Sequence, residues 1–190
     1  IVVGPTSSGK SDLAVALAKK LRGEVVSADS RQVYRGMDIG TGKVPGRWEK
    51  TREKGRNKTM FIYKGIPHHV IDFVNPKRKY TAEHFRKDAA RVIKQIFARG
   101  HLPVVTGGTG FYIDALLHDY AFPNVKPNNT LRRELARESP DSLFERLLAC
   151  DPERATAIDR KNKVRLIRAL EIALTTGKPI PRFRKTPRYN

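Results

Sequence analysis

"IVVGPTSSGKSDL", residues 1–13, runs an apolar strand end into a glycine-framed loop, and the loop into Lys10, Ser11 and a helical pattern. Gly4 to Ser11 fits G-x-x-x-x-G-K-S. The glycines let backbone N–H groups turn inward around an anion, Lys10 puts a point charge on phosphate oxygens, and the Ser11 hydroxyl can ligate Mg²⁺. The helix that starts here adds the positive end of its dipole. Gly4, Pro5, Thr6, Ser7, Ser8, Gly9, Lys10 and Ser11 are therefore the candidate residues for binding a diphosphate or triphosphate, with Ser11 the candidate metal ligand. The loop implies a diphosphate or triphosphate but not its hydrolysis, since no long apolar strand downstream ends in an Asp-Glu pair.

Outward from the loop, strand and helix alternate. Leu13, Leu17 and Leu21 recur at i, i+4, i+8, with Ala14 and Ala18 beside them, and predict a helix over 11–22 with one apolar face. "EVVSA" (24–28) reads as a second strand. Phe85, Ala89, Val92, Ile93 and Ile96 share one face of a helix within 81–100, stopped at Gly100. "LPVVTGG" (102–108) is a third strand, and "FYIDALL" restarts a helix. Residues 1–118 thus read as an α/β domain, a parallel-sheet core with helices on both faces. From 119 to 190 the pattern becomes a small helical subdomain, with capping signals at Ser139-Pro140, Asp151-Pro152 and Asn162. Its last helix, about 163–175, stops at Gly177 and Pro179.

Thirty-eight Lys and Arg against nineteen Asp and Glu leave a net charge of +19. The excess is uneven: residues 161–190 hold nine basic residues against Glu171 alone, and "RWEKTREKGRNK" (47–58) is a second dense patch. A polyanion partner follows, of which nucleic acid is the commonest. One cysteine, Cys150, excludes an internal disulfide and points to a reducing compartment, the cytoplasm. No apolar run approaches the ~18 residues of a membrane span. The chain begins at Ile1, already inside a strand, and ends at "RKTPRYN", so it is expected to be part of a longer protein.

In an open parallel sheet, ligands sit beyond the carboxyl ends of the strands. Asp29, after the second strand, is expected beside the phosphate loop. It reads equally as a helix cap, a general base or a Mg²⁺ partner. Gly107, Gly108 and Thr109 end the third strand the same way, facing the site or simply packing a turn. His68 and His69 in "PHHVID" resemble ligands, but the chain clusters too few others near them for a metal, and structural use is expected.

Taken together, "GPTSSGKS", "SADSRQVYRGMDIGTGK", "PHHVID", "YTAEHFRKDA", "LPVVTGGTGFYIDALL" and "NKVRLIRALEIALTTGKPI" resemble, in order, the tRNA dimethylallyltransferase family, also called tRNA isopentenyltransferases. The resemblance covers nearly the whole chain. It implies transfer of a dimethylallyl group from dimethylallyl diphosphate to N6 of the adenosine on the 3′ side of the tRNA anticodon. The phosphate loop would then hold the leaving diphosphate, which needs no activated water. By the same resemblance Asp29 is the base, Thr109 and Arg132 are catalytic stabilisers of the departing charge, and Mg²⁺ is the cofactor. Asp29, Ser30, Arg31 and Gln32, with Val164, Arg165, Leu166, Ile167 and Arg168, match the tRNA-contacting stretches. The partners implied are the tRNA anticodon stem-loop and dimethylallyl diphosphate, with no membrane and a monomeric protein.

Two departures stand out. The family continues beyond residue 190, with a further core strand, a site arginine and more tRNA-contacting helices. Residues 43–66 are also longer and more basic than the usual connection, and "TMFIYKGI" is expected to add a strand or hairpin. Three other functions compete. An adenylate isopentenyltransferase would act on AMP, a P-loop kinase would turn over ATP with a small alcohol, and a binding module with a degenerate loop would show no catalysis. The basic bias disfavours a mononucleotide acceptor.

Overall fold

The computed structural model describes residues 1–5, 7–53, 56–118 and 122–180. They fall into two compact units divided between 119 and 120. Thr6 and the basic segment 181–190 lie outside the described residues.

The first unit is built on one six-stranded sheet in the order β1-β6-β2-β5-β4-β3. Its strands are β1 (Val2–Val3), β2 (Gly23–Ser27), β3 (Arg47–Glu53), β4 (Arg56–Tyr63), β5 (Ile66–His69) and β6 (Leu102–Gly107). Pairings β1–β6, β6–β2 and β2–β5 are parallel, as the alternation with α1 (Lys10–Lys20) and α2 (Ala82–Phe97) requires. The remaining two pairings are antiparallel, so the sheet is mixed rather than parallel throughout. "TMFIYKGI" accounts for part of this difference. Lys64 and Gly65, both at positive φ (50° and 77°), form a two-residue turn between β4 and β5. β3 was not legible as a strand: "RWEKTRE" has no apolar alternation, and its pairing with β4 sets its conformation.

Val25, Val104 and Ile66 pack with Ala14, Val15 and Ala18 of α1. The alternate positions Val26 and Val105 are buried as well, so both faces of the sheet are covered. The expected apolar face of α1 packs only in part, with Leu17 against the same core. Leu13 and Leu21 are 52% and 48% exposed, while Ala14, Val15 and Ala18 are buried. Small side chains let the helix lie close on the sheet: a Cβ on Gly23 would stand 3.4 Å from the Ala18 Cα. In α2, Phe85, Ala89 and Ile96 are buried as expected, and Phe85 stacks on Tyr112 of α3 (Gly110–Leu117) with centroids 4.4 Å apart.

The second unit is helical: α4 (Asn129–Leu135), α5 (Pro140–Cys150), α6 (Pro152–Ala157) and α7 (Lys163–Thr176). Ser139, Asp151 and Asn162 each accept a backbone N–H at the entry of their helix, and Gly177 ends α7 in the left-handed conformation. Asn128 caps α4 in the same way, within a stretch that reads as loop. Leu135, Leu143, Leu147, Leu166 and Leu170 form the core. Among the described residues, no helix is long and apolar enough to cross a membrane.

Candidate active site

A cavity of about 310 Å³ opens in the first unit where β2, β5 and β6 meet the start of α1. Ser7, Ser8, Gly9, Lys10 and Ser11 form one wall, Asp29 and Gln32 another, and Val25, Val44 and Ile71 an apolar side. The loop bends sharply to do this. Gly9 has φ 80°, and Ser7 holds a left-handed φ of 64° that a non-glycine residue adopts only when its surroundings impose it. Lys10 Nζ donates to the Pro5 carbonyl at 2.5 Å. An ammonium has three donors, so two remain for an anion in the cavity. Gly4 and Pro5 shape the loop rather than line the cavity: a Cβ on Gly4 would stand 3.0 Å from Ser8 Oγ.

Asp29 Oδ1 accepts from the backbone N–H groups of Arg31 (2.8 Å) and Gln32 (3.2 Å). The cap reading is therefore real, yet it uses one oxygen. Oδ2 takes no hydrogen bond from the described residues, and Asp29 lines the cavity. Capping and a chemical role are thus compatible in one carboxylate. Gln32 is pinned by donating to the carbonyls of Thr41 (3.3 Å) and Gly42 (3.1 Å). Arg31 and Ser30 are exposed.

Thr109 lies outside the cavity wall and acts as a clamp. Its Oγ1 accepts from the Ser30 N–H at 3.0 Å, and its own N–H donates to the Ala28 carbonyl at 3.3 Å. The approach depends on Gly107, where a Cβ would sit 2.2 Å from the Ala28 carbonyl oxygen.

The two histidines of "PHHVID" part ways, as alternation along a strand demands. His68 lines the cavity. Its Nδ1 donates to the Ile66 carbonyl at 2.9 Å, leaving Nε2 as acceptor, and burial pulls its pKa down, so the ring is neutral. His69 Nε2 meets buried Glu24 at 2.5 Å. Glu24 also accepts both arms of Arg99 and meets His101 Nδ1 at 2.7 Å. Burial raises the Glu24 carboxyl, but these partners outweigh it and hold it well below the usual carboxylate range. Among the described residues, no group of three or more His, Cys, Asp or Glu could hold a metal ion. The sequence reading missed His68, Val44, Ile71 and Thr106 as cavity residues. Period-two alternation in β5 was the one available signal, and it pointed only to His68.

In the second unit, Arg132 Nε and Nη2 donate to the two carboxylate oxygens of Glu171 at 2.8 and 2.7 Å. Arg168 Nη1 joins at 2.5 Å, and the Asn128 N–H donates at 2.7 Å. Burial raises the fully buried Glu171, but the two guanidiniums and the N–H outweigh it and lower its pKa to about 2. Of the stretch 164–168, Val164 and Arg165 are exposed, Leu166 is core, Ile167 packs against that core, and Arg168 is half-buried on Glu171.

The model of the family described as IPP transferase matches residues 32–190. A tRNA dimethylallyltransferase of Pelotomaculum thermopropionicum is 45% identical over 188 residues, covering 97% of this chain and 55% of that protein. The crystal structure of a tRNA isopentenylpyrophosphate transferase from Staphylococcus epidermidis aligns with TM-score 0.51 at 40% identity, over 94% of this chain and 55% of that one. A eukaryotic dimethylallyltransferase captured acting on tRNA aligns with TM-score 0.70 at 34% identity, over 93% of this chain and 41% of that one. The chain spans about half the length of the curated relatives it matches.

Proposed function

The chain belongs to the IPP transferase family, and from that premise we propose that the protein transfers a dimethylallyl group from dimethylallyl diphosphate to N6 of the adenosine 3′ to the tRNA anticodon. The observation that carries this reading is the shared cavity. Lys10 and Ser11 line one side of it, and the Asp29 carboxylate, with one oxygen uncommitted, lines another.

In this reaction the donor C1–O bond breaks as the N6–C1 bond forms. The N6 proton passes to Asp29 Oδ2, a general-base contribution typically worth about 10²–10⁴-fold. Charge gathers on the departing diphosphate, where Lys10 and the N–H groups at the start of α1 meet it without reorganisation. Val25, Val44 and Ile71 offer an apolar wall to the prenyl tail. Ser11 supplies a hard oxygen donor, which suits Mg²⁺, and such an ion would take its remaining ligands from diphosphate and water. When bound, Mg²⁺ neutralises leaving-group charge. The adenine has to leave the anticodon-loop stack to reach the cavity. Arg132, held on Glu171, is in this proposal a second source of positive charge for the departing diphosphate.

In the same proposal the protein acts as a cytoplasmic monomer. The basic unit from 119 to 190 contacts the tRNA together with Ser30, Arg31 and Gln32; within the 164–168 stretch the exposed Val164 and Arg165 make the contact, while Leu166, Ile167 and Arg168 hold the helix in its unit. The test is mass spectrometry of tRNA, and separately of AMP, after incubation with the full-length protein and dimethylallyl diphosphate. A mass gain of one dimethylallyl group on tRNA alone supports the reading; a gain on AMP alone, or none, overturns it.

A further inference from the structure

Cross-strand partners share a face of a sheet, and faces alternate along each strand. The β3–β4 register therefore sorts its side chains into two sets. Trp48, Lys50 and Arg52 stand on one face, opposite Phe61, Thr59 and Asn57. Arg47, Glu49 and Thr51 stand on the other, opposite Ile62, Met60 and Lys58.

The first of these is the cavity face. Phe61 is paired with His68 across β4–β5 and clusters with Val44 and Ile71. His68, Val44 and Ile71 all line the cavity. Trp48 continues the row outward, edge-to-face on Phe61 with centroids 5.8 Å apart, while Phe61 meets His68 in the same manner at 6.5 Å. An unbroken line of rings thus joins the cavity wall to the edge strand. Trp48 is fixed in place, its Nε1 donating to Asp72 Oδ2 at 2.9 Å, yet it remains 44% exposed.

Charge is sorted by face too. On the far face Arg47 is bound to Glu49 at 2.8 Å. On the cavity face Lys50 and Arg52 are exposed, stand opposite Thr59 and Asn57, and pair with no acid among the described residues. Uncompensated cations beside a rigid, exposed aromatic match a phosphodiester backbone carrying an unpaired base. From Trp48 to Arg52 the row runs roughly 14 Å at ~3.4 Å per residue, long for a single free anion and suited to a chain of phosphates.

We propose that the cavity-side face of β3–β4 is an RNA-contact surface, with Lys50 and Arg52 on backbone phosphates and Trp48 stacked on an unpaired base. The RNA is the one whose adenine enters the cavity, so the inference rests on the tRNA reading above.

The experiment measures binding of labelled anticodon stem-loop RNA to the full-length protein between 50 and 200 mM salt. It compares the wild type, the Lys50→Ala/Arg52→Ala double variant, Trp48→Phe, and Arg47→Ala as the opposite-face control. Losing two phosphate contacts lowers the salt slope by about 1–2 and weakens low-salt binding by roughly tenfold. Trp48→Phe, which keeps an aromatic ring, retains most of the affinity, and Arg47→Ala leaves affinity and slope unchanged. Wild-type affinity in a folded double variant overturns the surface, as does an equal loss in Arg47→Ala or a wild type that binds no RNA. Prenyl transfer by the same wild-type preparation is scored separately. Transfer with undiminished double-variant binding sinks the surface and spares the function. Weakened double-variant binding without transfer sinks the function and spares the surface.

Discussion

Thr109 Oγ1 accepts the Ser30 N–H at 3.0 Å and so fastens the end of β6 to the segment that carries Asp29. The same backbone unit that follows Asp29 is thereby fixed from a strand 79 residues away in sequence. Thr109→Val removes this clamp while keeping the shape. It is expected to lower turnover about tenfold and to cost about 1 kcal/mol of stability, the net worth of one hydrogen bond. Diphosphate affinity should stay unchanged, because Thr109 is outside the cavity wall. Calorimetric titration with diphosphate checks this; a marked loss there would make Thr109 a direct ligand of the leaving group.

The pairing of Arg132 and Arg168 with Glu171 predicts a division of labour along α7. Arg165 has its side chain exposed, so Arg165→Ala should weaken RNA binding and reduce the salt slope by about 1. Arg168 is held by Glu171 and by the Val125 carbonyl at 3.2 Å, so Arg168→Ala should act mainly through stability. Salt-dependent RNA titrations beside thermal melts separate the two. Equal slopes for both variants would contradict the division.

Acid should loosen the fold. Glu171 falls from an ordinary 4.5 to about 2 on folding, and Glu24 is lowered further still. A depressed carboxylate pKa contributes stability in full above about 4.5, and that contribution disappears as pH drops toward the folded value. Melting temperature should therefore decline once pH goes below about 4.5. Glu171→Gln leaves two arginines without their carboxylate and should cost about 3 kcal/mol at pH 7, with a shallower acid decline. A melting temperature flat from pH 7 to 3 would contradict both assignments.

Lys10→Ala should weaken diphosphate binding and slow transfer while leaving RNA affinity nearly intact, because one ammonium in the cavity adds little to a wide basic surface. Isothermal titration with diphosphate and anisotropy with RNA read the two separately. Lost RNA affinity with diphosphate binding preserved would reverse the roles.

Local signals in the sequence carried much of this structure. Ser139, Asp151, Asn162 and Gly177 bound their helices because capping depends on a few neighbouring residues. The phosphate loop and Asp29 meet at one cavity because parallel strands deliver their carboxyl ends to one edge. What stayed hidden is non-local. Arg132 and Glu171 are 39 residues apart, and no pattern announces that the guanidinium seeks a buried acid. Glu24 gathers His69 from the end of β5 and Arg99 and His101 from the α2–β6 connection. On α1, Leu13 and Leu21 stay exposed beside the buried Ala14 and Ala18, since periodicity counts apolar residues but not how close the sheet must come. β3 became a strand through its partner rather than its own residues.

The measurement that bears most directly on the account is the single-turnover rate of Asp29→Asn on anticodon stem-loop RNA. Asn caps a turn about as well as Asp, so the bonds to Arg31 and Gln32 can persist and folding should hold. It cannot take the N6 proton. The account predicts a rate roughly 10²-fold lower or more, with RNA and diphosphate affinities close to wild type and no rescue by added Mg²⁺. A near-normal rate, or recovery with raised Mg²⁺, would contradict Asp29 as the base.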